Sequence, residues 1–208
     1  MSAPLRGWLG VVAALAALVV LGLAVRYAGA SEPGRLDDRI GTALYGVGSP
    51  WHEVAKTLDA LGEPAGSGAL MVGVVAACLA ARRVRAAVFA VAGVGLAVGT
   101  ATLLKHLVGR TIHGDNLSYP SGHTAFATAL ALVVALLATR GRGREGLGPG
   151  PVLGAALFAG AAMGWAQVAL GAHYPTDVLG GWCTALAVVP ATGRLVDRIF
   201  DTAQRKRI

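Results

Sequence analysis

Six separated apolar runs constrain this chain more than any other feature. They extend from Trp8 to Val25, about Ser67 to Ala81, Ala86 to Val108, His123 to about Thr139, Pro151 to Gly171, and about Asp177 to Pro190 or Val196. A spanning helix needs roughly 20 consecutive apolar residues, and the hydrocarbon core accepts only elements whose backbone groups pair internally. The expected fold class is therefore all-α: a polytopic membrane protein, one membrane-embedded domain over residues 1–208, built as a bundle of six transmembrane helices. Charged residues make up only 14% of the chain and hydrophobic residues 55%, which excludes disorder, and two cysteines exclude a disulfide scaffold. Cys78 and Cys183 lie inside apolar runs and read as packing residues. The first run holds about 18 apolar residues, longer than a signal-peptide core of about 7–15, so it reads as an anchor despite Arg6 and the Ala28-Gly29-Ala30 segment.

The net charge is +7. On a soluble protein that would suggest nucleic acid, but here its placement is the informative part. Arg6, then Arg82, Arg83 and Arg85, then Arg140, Arg142 and Arg144, then Arg205, Lys206 and Arg207 all fall on one side of a six-span layout. Basic loops face the cytoplasm. Both termini are therefore expected inside, in the plasma membrane, with no nucleic-acid partner. The segment from Gly29 to Gly66 falls on the other side and carries Glu32, Asp37, Asp38, Glu53, Asp59 and Glu63. Its apolar residues Leu36, Ile40 and Leu44, then Trp51, Val54, Leu58 and Leu61, predict two short amphipathic helices in this first outer loop, joined at Gly46–Pro50. Interfacial packing explains them; a lid over a lipid site is the sharper alternative.

Three polar groups collect at the outer ends of the last four runs: Lys105 to Arg110, Tyr119 to Thr124, and Gln167 with Gly171 to Asp177. Ionisable residues near membrane depth are costly and point to function. Ser121 suits a helix N-cap and Gly122 lets backbone approach a ligand, so the helix start at Pro120-Ser121-Gly122-His123 can offer free N–H groups to a phosphate. A capping turn alone would also explain it. Pro175 suits a first helical turn, which puts Asp177 within reach of His173, four residues earlier. Such a pair fixes the imidazole tautomer and raises its basicity. Lys105 and Arg110 flank Gly109 and supply cations, though snorkelling to headgroups would equally place a lysine there. No paired carboxylates or cysteines accompany the histidines, so a metal site is not expected. Cations, one oriented His and a second His as acid make an inventory for phosphoryl transfer.

These motifs resemble the type 2 phosphatidic acid phosphatase superfamily, which shares its site with vanadate-dependent haloperoxidases. Lys105 matches the start of the first family motif, Pro120-Ser121-Gly122-His123 the whole of the second, and His173-Tyr174-Pro175-Thr176-Asp177 the end of the third. Four positions depart from the pattern. Ile112 and Gln167 stand where the family has phosphate-binding arginines, and Ala166 where it has serine. His113 replaces the usual proline, and Arg110, two positions before Ile112, is placed to serve instead.

The resemblance implies a metal-independent lipid phosphatase without a cofactor, acting on a phosphorylated lipid at the extracytoplasmic face. His173 would attack phosphorus and form a phosphohistidine, Asp177 would orient it, and His123 would protonate the leaving group. Lys105, Arg110, Ser121, Gly122 and Gln167 would hold the phosphate oxygens. The lipid stays open among polyprenyl diphosphate or phosphate, phosphatidylglycerol phosphate and phosphatidic acid. A catalytically weak lipid-phosphate binder or transporter that keeps the fold is the rival from another class.

Overall fold

The computed structural model describes residues 3–138 and 149–205. The basic groups at Arg140, Arg142, Arg144, Lys206 and Arg207 lie outside them. Eight helices follow in order: α1 (Ala3–Arg26), α2 (Arg35–Leu44), α3 (Trp51–Gly62), α4 (Pro64–Ala80), α5 (Val84–Val108), α6 (Gly122–Ala138), α7 (Pro149–Ala169) and α8 (Pro175–Arg205). A two-stranded antiparallel hairpin, β1 (Thr111–Ile112) and β2 (Asn116–Leu117), separates α5 from α6.

Among the described residues, length and composition support four to five of the six expected spans. Four helices, α1, α5, α7 and α8, are long and apolar enough to cross a membrane; α3 and α4 qualify only as a pair bent by 62°. The described part of α6 is a shorter apolar helix of 17 residues. The sixth run also extends further than its apolar stretch suggested. Pro190 is buried inside α8, and the helix runs on to Arg205. A helical proline forfeits one hydrogen bond, which packing on neighbours offsets. The extension is anchored by Arg85 at the start of α5, which pairs with Asp197 at 2.8 Å and Asp201 at 3.0 Å.

One core unites α1, α5, α6, α7 and α8 through Leu9, Val20, Phe89, Leu132, Val152 and Val189. Large apolar side chains such as Leu18, Val25, Leu107 and Phe158 point outward instead. An apolar exterior of this kind suits lipid. In α2 the buried residues are Asp37 and Gly41, while Leu36 and Ile40 are exposed. The polar face of this amphipathic helix therefore turns toward the protein.

Candidate active site

Glycines in α8 bring the second and third motifs together. A Cβ on Gly181 would lie 2.3 Å from the Ser121 carbonyl oxygen, so only glycine admits the turn that starts α6 against α8. The Ser121 N–H donates to the Asp177 carbonyl at 2.9 Å, and Ser121 Oγ accepts the Thr124 N–H at 3.3 Å as the N-cap. Tyr119, just before this turn, is buried and donates its hydroxyl to the Val20 carbonyl of α1 at 2.8 Å.

His173 lies in the turn between α7 and α8, held by a backbone bond from Ala172 to the Gln167 carbonyl at 2.9 Å. Its Nδ1 is 3.7 Å from Asp177 Oδ2, an approach that is not yet a hydrogen bond. Burial holds the imidazole below its ordinary pKa; the Asp177 carboxylate pulls the other way, while Lys105 and His123 oppose charge on the ring. Burial thereby favours the neutral form of His173. Lys105, in the last turn of α5, donates to the Leu117 carbonyl at 2.9 Å.

Asp177 is fixed by a chain of buried charges. Arg110 Nη1 donates to Asp177 Oδ1 and to Thr176 Oγ1, both at 2.6 Å, and Nη2 donates to Asp37 Oδ2 at 2.7 Å. Thr176 in turn donates its N–H and its hydroxyl to the two Asp37 oxygens at 2.9 and 3.0 Å. The guanidinium lies 3.9 Å from the Tyr27 ring centroid and 4.4 Å from that of Tyr174. Arg110, Asp37 and Asp177 are all 0% exposed.

Two expected phosphate ligands are therefore engaged elsewhere. Arg110 does not face the site: α5 ends at Gly109 with φ +64°, and the turned chain sends the guanidinium between two tyrosines. Gln167 is buried and its amide donates to Asp59 Oδ1 at 2.7 Å. His113, at the family's proline position, bonds the Gly171 carbonyl at 2.9 Å, and Ile112 is buried.

A further correction concerns His123. Carboxylates do accompany it: Asp59 Oδ1 and Glu63 Oε1 each lie 3.5 Å from His123 Nε2. Among the described residues these three form a group whose ligand atoms all lie within 4.8 Å of one another, close enough to hold a cation. A Cβ on Gly62 would come within 2.2 Å of His123 Cδ2, so the α3–α4 elbow sits directly on the ring. The one sequence signal for Asp37, Asp59 and Glu63 is the acidity of the segment between the first two apolar runs.

An apolar groove of about 650 Å³ begins at Pro64, next to Glu63. It runs along Met71, Val75 and Leu79 of α4 and Val91, Val94 and Val98 of α5, and it includes Phe126, which lies three residues after His123.

No curated protein sequence matches the chain. In fold the chain is similar to a crystal structure described as the first transmembrane PAP2 type phosphatidylglycerolphosphate phosphatase from Bacillus subtilis. The identity is 22%, the TM-score 0.69, and the match covers 91% of this chain and 96% of the other. The sequence model of the PAP2 superfamily matches residues 65–201, which carry both histidines, Asp177, Arg110 and Lys105. Tyr27, Asp37, Asp59 and Glu63, contributed by the segment before that match, complete the arrangement around these residues, and the chain belongs to the PAP2 superfamily.

Proposed function

We propose that this protein is an integral membrane lipid phosphatase that acts through a phosphohistidine at the outer face of the plasma membrane. The observation that carries the reading is the buried chain from Asp37 through Arg110 and Asp177 to His173, where burial favours the neutral ring, beside His123 on the first turn of α6. A neutral imidazole backed by a carboxylate is a competent nucleophile. His173 attacks phosphorus, Asp177 stabilises the charge that develops on its ring, and His123 protonates the departing oxygen. Lys105 and the start of α6, with Ser121 and Gly122, hold the phosphate oxygens. Arg110 acts through Asp177 as a positioning residue, and Gln167 acts through Asp59. The groove between α4 and α5 takes the hydrocarbon chain of the lipid, since its lining is apolar and includes Pro64, which follows Glu63, and Phe126, one turn after His123. Phosphate release from lipid phosphates by purified protein, set against the His173→Ala variant, tests this. Tight binding without release in both would favour a lipid-phosphate binder instead.

The orientation follows from the basic loops. A membrane-impermeant thiol reagent should label a cysteine introduced at Asn116, which is exposed, in intact cells lacking Cys78 and Cys183, and should not label one at Gly143. The reverse pattern would place the site in the cytoplasm.

Chelation should leave turnover intact. A cation held by Asp59, Glu63 and His123 would occupy the imidazole nitrogen that faces both carboxylates and remove that nitrogen from proton transfer. Vanadate should inhibit, as it can bond to His173 in the place of phosphorus. Loss of turnover in EDTA with recovery on added Mg²⁺ would overturn the mechanism.

A further inference from the structure

The surroundings of His123 bear on which phosphates the site accepts, given the lipid-phosphatase reading above. Asp59 and Glu63 are one helical turn apart across the elbow at Gly62 and Pro64, and both face His123 Nε2 at 3.5 Å. That nitrogen is buried and has no hydrogen-bond partner. Asp59 is not free to swing away, because the buried Gln167 amide holds its Oδ1 at 2.7 Å. The compensating cations are few. Ile112 and Gln167 are neutral where the family pattern has arginine, and the charge of Arg110 is absorbed by Asp37 and Asp177. Among the described residues, His173 feels the charges of both His123 and Lys105, and Asp177 stands behind it at 3.7 Å. A leaving group that departs at His123 therefore meets two carboxylates.

We propose that Asp59, seconded by Glu63, selects the leaving group by charge, so that the site takes a phosphate monoester of a lipid alcohol and rejects a lipid diphosphate. With a monoester, His173 forms the N–P bond, the P–O bond to the alcohol breaks, and the alkoxide takes the proton of His123 and leaves as a neutral alcohol. Water then breaks the N–P bond, gives up a proton to His123 and releases phosphate. With a diphosphate the same steps expel a lipid phosphate, an anion that leaves at His123 beside the Asp59 and Glu63 carboxylates. Like charges brought together in this way are a common device for refusing a wrong partner. Asp59, with 30% of its side chain exposed, is screened less than Glu63 at 56%. The larger share of the effect falls to Asp59.

The test uses two lipids that share a farnesyl tail, the monophosphate and the diphosphate, with the full chain in detergent or nanodiscs. Two ratios are read: kcat/KM for phosphate release, and Kd for the non-hydrolysable phosphonate and methylene-bisphosphonate of the same tail. The wild type should favour the single phosphate by about tenfold or more in both ratios. Asp59→Asn keeps the shape and should shrink the preference by about tenfold, Glu63→Gln by less. An ionic strength of about 1 M, where the screening length is roughly 3 Å, should narrow it without any substitution. A merely structural Asp59 would weaken both lipids in parallel and leave the ratios unchanged. That outcome, or a wild-type preference for the diphosphate, overturns the proposal. Absence of phosphate release from either lipid would instead defeat the phosphatase reading, and the Kd ratio would still decide the selectivity. If Asp59→Asn fails to fold, Glu63→Gln and the salt series decide it.

Discussion

Arg110→Ala should cost the folded protein about 3–5 kcal/mol, because it strands two buried carboxylates that now share one guanidinium. In a detergent thermal melt the midpoint should fall by on the order of 10 °C. Lysine should not rescue. The guanidinium reaches Asp37 through one terminal nitrogen and Asp177 with Thr176 through the other, and it stacks between Tyr27 and Tyr174. A lysine brings one compact charge that cannot span that fork or lie flat between the rings. Asp37→Asn offers a milder probe, since an amide keeps the shape and leaves Arg110 balanced by Asp177 alone. It should lower turnover by loosening Asp177 while most of the fold survives. The opposite result, a stable and fully active Arg110→Ala protein, would show that the buried charge chain does not hold the site.

The fate of Arg110 also shows how far the residues alone could be read. Lys105 and Arg110 are close in sequence, and that closeness suggested a shared phosphate. The left-handed turn at Gly109 separates them: Lys105 stays on the last turn of α5, while Arg110 dives into the bundle. Short-range features were legible, because they rest on local chemistry. Ser121 caps α6 and Pro175 begins α8, as residue preferences at helix ends require. Partners far apart in the chain were not legible. Asp37 meets Thr176 across 139 residues, and Asp59 meets Gln167 across 108. Apolar periodicity also misdirected attention in α2, where Leu36 and Ile40 marked the helix but the buried Asp37 between them makes the contacts that matter. In a bundle whose exterior meets lipid, the apolar face need not be the inner one.

Removing the His173 ring should abolish the phosphoenzyme and lower turnover by on the order of 10⁴ or more, the scale seen when a nucleophile is deleted. Rapid quenching with labelled lipid, held at neutral or alkaline pH so that phosphohistidine survives, reads this directly in wild type and in His173→Ala. The pH dependence gives a second signature. Burial depresses the folded-state pKa of His173 below the ordinary histidine value of about 6.5, with the Asp177 carboxylate as the main opposing influence. The nucleophile must be neutral, so the acid limb of kcat/KM should fall at a pH below that value. Stability follows the same sign. Between the ordinary and the depressed value the unfolded chain binds a proton that the folded protein does not. Stability contributed by His173 is therefore complete above the ordinary pKa and is lost as pH falls through it toward the folded one. In Asp177→Asn the carboxylate no longer opposes burial, and the acid limb should move to still lower pH while turnover drops. An acid limb at or above the ordinary histidine value in wild type, or one that moves upward in Asp177→Asn, would mean that His173 is not the neutral group that attacks phosphorus.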